Sequence, residues 1–108
     1  MHSNTHKLLH MVYFWLKEEH TEHDKAQLIE GLQGLADIDL IKAIHIGVPA
    51  STLERDVIDS SYQVSLVLQF DNTEDQDAYQ IHPTHLAFVD KCKHLWQRVK
   101  VCDSISAL

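Results

Sequence analysis

The chain has 108 residues, enough for one domain around one modest core and too few for two. With 44% apolar and 23% charged residues it has the profile of an ordinary soluble globular protein, and no stretch approaches the roughly 20 apolar residues needed to cross a bilayer. A formal net charge of −7 repels phosphate backbones and anionic lipid surfaces, so neither nucleic acid nor a membrane is an expected partner.

The polar opening from Met1 to Lys7 reads as a flexible N-terminal arm (1–7) ahead of a single domain (8–108). It lacks the basic, apolar and small-residue order of a secretory signal, so the cytoplasm is the expected location. From Leu8 to Leu16 the run LLHMVYFWL is β-branched, aromatic and aliphatic, and it predicts the first strand. Strand alternation divides it into two rows: Leu8, His10, Val12, Phe14 and Leu16 on one face, Leu9, Met11, Tyr13 and Trp15 on the other. Both rows are apolar, and both need covering.

Thr21 with Asp24 three residues on predicts a helix N-terminus. Leu28, Ile29, Leu32 and Leu35 follow at helical spacing, weakened somewhat by Gly31 and Gly34, with an exit near Asp37 to Asp39. Leu40 to Val48 predicts a second strand closed by Pro49, and 50–61 an exposed connection. Tyr62 to Phe70 predicts a third strand, with Tyr62, Val64, Leu66, Leu68 and Phe70 inward and Gln63, Ser65 and Gln69 opposite. Asp71-Asn72-Thr73 opens a short helix through Ile81.

Pro83 suits the first turn of another helix, in which His85, Phe88, Val89, Cys92, Trp96 and Val99 recur at steps of three and four. Arg98 to Ile105 alternates as a final strand. The order β-α-β-β-α-β, with its second helical region broken in two, predicts an α+β, ferredoxin-like domain: a four-stranded antiparallel sheet with helices on one face. Helices then leave the Leu9-Met11-Tyr13-Trp15 row bare. Such a patch is rare on a monomer, and a second copy placed sheet to sheet, as a dimeric α/β barrel, would bury it. The alternative is that the arm and the 50–61 connection cover it.

His10 lies in the helix-facing row, and His85 begins a stripe that points toward the sheet. With Tyr79 they can meet at one end of the helix–sheet core, in a pocket walled by Val12, Leu28, Leu32 and Phe88. A half-buried imidazole, whose ordinary pKa is about 6.5, suits a general base. A tyrosine hydroxyl beside it suits hydrogen-bond donation to an oxyanion. The competing reading is that each histidine is a satisfied core residue. The pairs His82/His85 and His20/His23 have no third convergent ligand placed beside them, so no metal site is expected, and His82 reads as a brace at the start of its helix. Cys92 and Cys102 have no metal-ligand spacing and read as reduced side chains, a disulfide or reactive thiol being the alternative.

These marks bring a resemblance. "HMVYFWLK", the later "AYQIHPTH" and the tail "WQRVKVCDS", ending its strand at Asp103, are together similar to the stress-responsive α/β-barrel (Dabb) family, over about Leu8 to Ser104. The resemblance implies a dimeric α/β barrel that partners itself. One member of the family is a cofactor-free plant polyketide cyclase. By motif its catalytic histidine corresponds to His85, its tyrosine to Tyr79, its strand-one histidine to His10 and a pocket tryptophan to Trp96. That cyclase has aromatic residues on its first helix where this chain has Leu28, Ile29 and Leu32. The leading expectation is therefore a homodimer binding a small molecule near His10, Tyr79, His82 and His85, without a cofactor. The alternatives are a cofactor-free cyclase or lyase with His85 as general base, kinship with barrel monooxygenases, for which no residue marks an iron site, and a purely structural dimer.

Overall fold

The structure is a computed structural model that describes residues 7–108, so the predicted arm lies outside the described residues except for Lys7. The elements run β1 (Leu8–Leu16), α1 (Glu22–Gln33), β2 (Ala43–Gly47), β3 (Val64–Phe70), α2 (Thr73–Gln80), α3 (Pro83–Cys92) and β4 (Trp96–Ile105). Short 3-10 turns follow α1 and α3. The four strands form one antiparallel sheet in the order β2-β3-β1-β4, the ferredoxin-like arrangement.

Local chemistry starts each helix where the sequence signals it. Thr21 and Asp24 form a reciprocal capping box on α1: the Thr21 hydroxyl accepts from the Asp24 N–H and the Asp24 carboxylate from the Thr21 N–H. The Asn72 side-chain oxygen accepts from the Asp75 N–H at the start of α2. His82 caps α3, its Nδ1 accepting from the Thr84 N–H at 3.1 Å, with Pro83 in the first turn. Gly31 is required by a close approach of helices. A Cβ there would stand 2.7 Å from the Cys92 sulfur of α3 and 3.2 Å from the Phe88 ring.

The core lies between the helices and one face of the sheet. Leu8, Val12, Phe14 and Leu16 of β1 and Val64, Leu66, Leu68 and Phe70 of β3 meet Leu28 and Leu32 of α1, Leu35, Tyr79, Phe88, Cys92 and Leu95. Each buried side chain of this kind contributes about 1.5–3 kcal/mol. Helix α1 packs over β2 and β3, and α2 over β1 and β3. The corresponding row of β4 is left partly open, with Val99 at 37% and Val101 at 49% exposure. Among the described residues no helix is long and apolar enough to cross a membrane. Both cysteines are free thiols, and burial pushes the Cys92 thiol up from its ordinary pKa.

Three sequence expectations change. The second strand is shorter than Leu40–Val48, because Leu40 and Ile41 pack against the core before the ladder begins. Tyr62 precedes the β3 ladder, so strand alternation does not bind it to the inward row. Its ring meets Tyr13 at 5.0 Å and Trp15 at 6.5 Å on the opposite face. Trp96 and Val99 belong to β4 rather than to the last helix, which ends at Cys92. The strand carries Trp96 back against Phe14 (5.0 Å) and Phe88 (5.9 Å), so the helical spacing continued by coincidence of destination.

The second face of the sheet is only partly covered. Trp15 is 9% exposed, because Arg98 lies 4.2 Å over its ring and its Nε1–H donates to the Ser61 hydroxyl at 3.0 Å. The end of the 50–61 connection thus shields that corner, as one alternative had it. Further along the row Leu9 is 38% exposed, and Met11 and Tyr13 are half-buried.

Candidate functional site

Beneath α2 and α3, at the β4 edge of the core, lies a cavity of about 130 Å3. His10, Tyr79, His85 and Gln80 supply its polar lining. Its apolar wall includes Val12, Phe14, Leu66, Phe88, Val89 and Trp96, and Val99 and Val101 line it from the partly exposed row of β4.

The position of His10 follows from strand parity. It sits in the core row of β1, is 5% exposed, and lies opposite Asp103 of β4 in the ladder. The Asp103 carboxylate is 2.6 Å from His10 Nδ1, so Nδ1 carries a proton and donates to it. The Gln76 amide nitrogen stands at 3.4 Å from the same atom, a grazing contact beside the shorter bond. A carboxylate on Nδ1 orients the ring and assigns Nε2 as the nitrogen available for other partners.

His85, in the first turns of α3, is held differently. Its Nδ1 is 3.0 Å from the backbone carbonyl of Gln80, an acceptor only, so Nδ1–H donates and Nε2 keeps its lone pair. Burial lowers the His85 pKa below the ordinary imidazole value. The carbonyl of Gln80 opposes that shift, and the neighbouring His10 and His82 add to it. The imidazole is therefore neutral at and above neutral pH, with its free lone pair on Nε2.

Tyr79 comes from the last turn of α2 and is 1% exposed. Its ring lies 4.4 Å from that of His85, 5.8 Å from that of His10 and 5.2 Å from that of Phe70, centroid to centroid. Burial raises its pKa well above the ordinary phenol value, so the hydroxyl stays protonated. No protein group among the described residues bonds that hydroxyl, and no fully buried side-chain nitrogen or oxygen among them lacks a partner. Tyr79 lines the cavity, and its hydroxyl is a donor without an acceptor among the described residues.

The structure brings His10, Val12, Tyr79, His85, Phe88 and Trp96 of the sequence-predicted pocket to one cavity. It does not bring the others there. Leu28 and Leu32 are fully buried in the core beneath α1, and the His82 side chain is engaged in capping α3. Sequence reading missed Asp103 as a partner of His10, and it missed Gln80. An acid in the alternating last strand was a usable signal for Asp103. None exists for Gln80, since its contribution to His85 is an anonymous backbone carbonyl.

The His85 shift carries a sign for stability. The unfolded chain takes up the His85 proton near about 6.5, and the folded chain only at lower pH. Between those values the unfolded state binds more protons, so stability falls as the pH drops, and the contribution is complete above about 6.5. Urea midpoints measured from about pH 7.5 to 5 are expected to fall less steeply for His85→Gln than for the unmodified chain. Parallel slopes would show that the fold does not depress this histidine.

Solved structures share the whole fold. A Dabb-family protein with a ferredoxin-like fold from Mesorhizobium loti is 21% identical, with a TM-score of 0.73 covering 94% of this chain and 98% of that one. A dimeric ferredoxin-like protein of unknown function from Thermobifida fusca is 20% identical at a TM-score of 0.75, covering 96% and 94%. The hydroxynitrile lyase from Passiflora edulis is 17% identical at a TM-score of 0.78, covering 93% of each chain. No curated protein matches the sequence. The stress responsive A/B barrel domain matches residues 8–106, nearly the entire chain, and this protein therefore belongs to that family, Dabb.

Proposed function

We propose that this protein is a homodimer that binds a small molecule in the cavity lined by His10, Tyr79 and His85, in the cytoplasm. The observation that carries the reading is the Tyr79 hydroxyl, a donor without an acceptor among the described residues, on a ring 4.4 Å from that of His85, in a cavity whose other polar lining is His10 and Gln80. Polar groups in such a place usually serve a ligand. The partly bare Leu9-Met11-Tyr13 row supports the dimer, as do related folds that are themselves dimeric. A broad ligand screen followed by a ligand-soaked crystal structure tests the binding reading. Density between the three side chains is expected. A site that stays empty and closed in both experiments sinks it.

The tautomer of His85 favours a second reading, cofactor-free acid–base chemistry of the cyclase or lyase type. His85 Nε2 would take an acidic proton next to a carbonyl, the Tyr79 hydroxyl would donate to the developing enolate oxygen, and His10, fixed by Asp103, would orient the substrate. Once a substrate is in hand, His85→Ala is expected to lower turnover by about 100-fold or more, with fold and dimer unchanged. Unaltered rates in that variant would exclude His85 as the base.

A further inference from the structure

This inference rests on the cavity being a ligand site and concerns what it admits. We infer that the cavity selects an uncharged molecule about the size of one six-membered ring, carrying both an oxygen acceptor and a hydroxyl group.

Size is the first argument. An apolar cavity of about 150 Å3 holds benzene, and this one is about 130 Å3. Phe14, Phe88 and Trp96 give a ring aromatic walls to lie against. A second fused ring has to displace Val99 or Val101 at the β4 edge, or protrude past them.

Charge is the second. No lysine or arginine lines the cavity. The His10 Nδ1–H is already committed to the Asp103 carboxylate, and the His85 Nδ1–H to the Gln80 carbonyl. An entering carboxylate or phosphate would shed its water with only neutral donors to meet it, the Tyr79 hydroxyl and the Gln80 amide, close to the existing negative charge of Asp103. Desolvation without a counter-charge is costly. A cation would be desolvated in the same place, where burial already lowers the His85 proton affinity, and the nearby carboxylate of Asp103 is engaged by the His10 Nδ1–H.

Polarity is the third. Tyr79 offers an O–H donor and His85 Nε2 a lone pair, on rings 4.4 Å apart. A ligand satisfying both brings one acceptor and one X–H group. A simple ketone satisfies one, and a hydrocarbon neither.

The test is an NMR titration of the full chain at about pH 8, where ordinary imidazoles are neutral. The probes are 2-hydroxycyclohexanone, cyclohexanone, cyclohexanecarboxylate, cyclohexylamine and the two-ring 2-hydroxy-1-tetralone. The hydroxyketone is expected to shift the Tyr79 and His85 signals and to bind about tenfold or more tighter than either charged probe or the two-ring probe. Its advantage over cyclohexanone is expected to vanish in His85→Ala. If a charged or two-ring probe binds as tightly, or the advantage survives in His85→Ala, the selectivity inference is overturned while the cavity remains a binding site. If no probe perturbs the site, the inference and the binding reading fall together.

Discussion

Phe70→Ala is expected to destabilise the protein by about 3–5 kcal/mol, the usual range for deleting a buried phenylalanine ring. Phe70 ends β3, is fully buried, and pairs across the ladder with Leu8. Its ring lies 5.2 Å from Tyr79 and edge-on at 6.3 Å from His10. Domains of this size have a total stability of about 5–15 kcal/mol, so the loss is a large share of the whole. In urea, with a slope of about 1–3 kcal/mol/M, the midpoint should fall by more than about 1 M. The same ring backs two side chains that line the cavity, His10 and Tyr79, so affinity at the proposed ligand site should fall together with stability. A change below about 1 kcal/mol would mean that β3 and α2 do not meet as described.

Met11→Lys is expected to convert the proposed dimer into a folded monomer. Met11 stands in the middle of the open row of β1, flanked in register by Val67 of β3 and Cys102 of β4. The face around it is mixed rather than wholly apolar, since Ser65 and Gln69 share it and Arg98 and Lys100 lie along its β4 side. In a two-fold assembly the substitution enters twice, and each ammonium buried against the partner costs several kcal/mol. That corresponds to a loss of about 100-fold or more in dimer affinity. Light scattering at micromolar concentration should report a dimer for the unmodified chain and a monomer for the variant, with unchanged far-ultraviolet circular dichroism. A variant that still dimerises would move the interface away from this face. An unmodified chain that is monomeric would end the dimer reading, leaving the connection that shields Trp15 as the principal cover of the open face.

A lone histidine in an apolar strand is ambiguous until its ring nitrogens are accounted for. His10 is buried and bonded, as a satisfied core residue would be, yet it also lines the cavity. The carboxylate that satisfies Nδ1 leaves the other edge of the ring available, and the Gln80 carbonyl does the same for His85. Both imidazoles are thus structural at one nitrogen and available at the other.

Features written in local chemistry were legible in the chain. The capping box of Thr21 and Asp24, the Asn72 cap and the His82-Pro83 entry to α3 each depend on residues within three positions of one another. The placement of His10 in the core row of β1 follows from the alternation of nine consecutive residues. The element order follows from such local signals, and the ferredoxin-like sheet follows from that order. The rest arose only with the closed fold. Asp103 meets His10 across 93 positions of chain because the β1–β4 register sets them side by side. Trp96 and Val99 keep helical spacing while lying on a strand, because β4 re-enters the same core that α3 leaves. Tyr62 turns to the far face because it lies just outside the ladder that would have bound it to alternation. Periodicity encodes which face a residue takes within its own element. Which distant group it meets there is set by register and helix placement, and these arise only when the whole core closes.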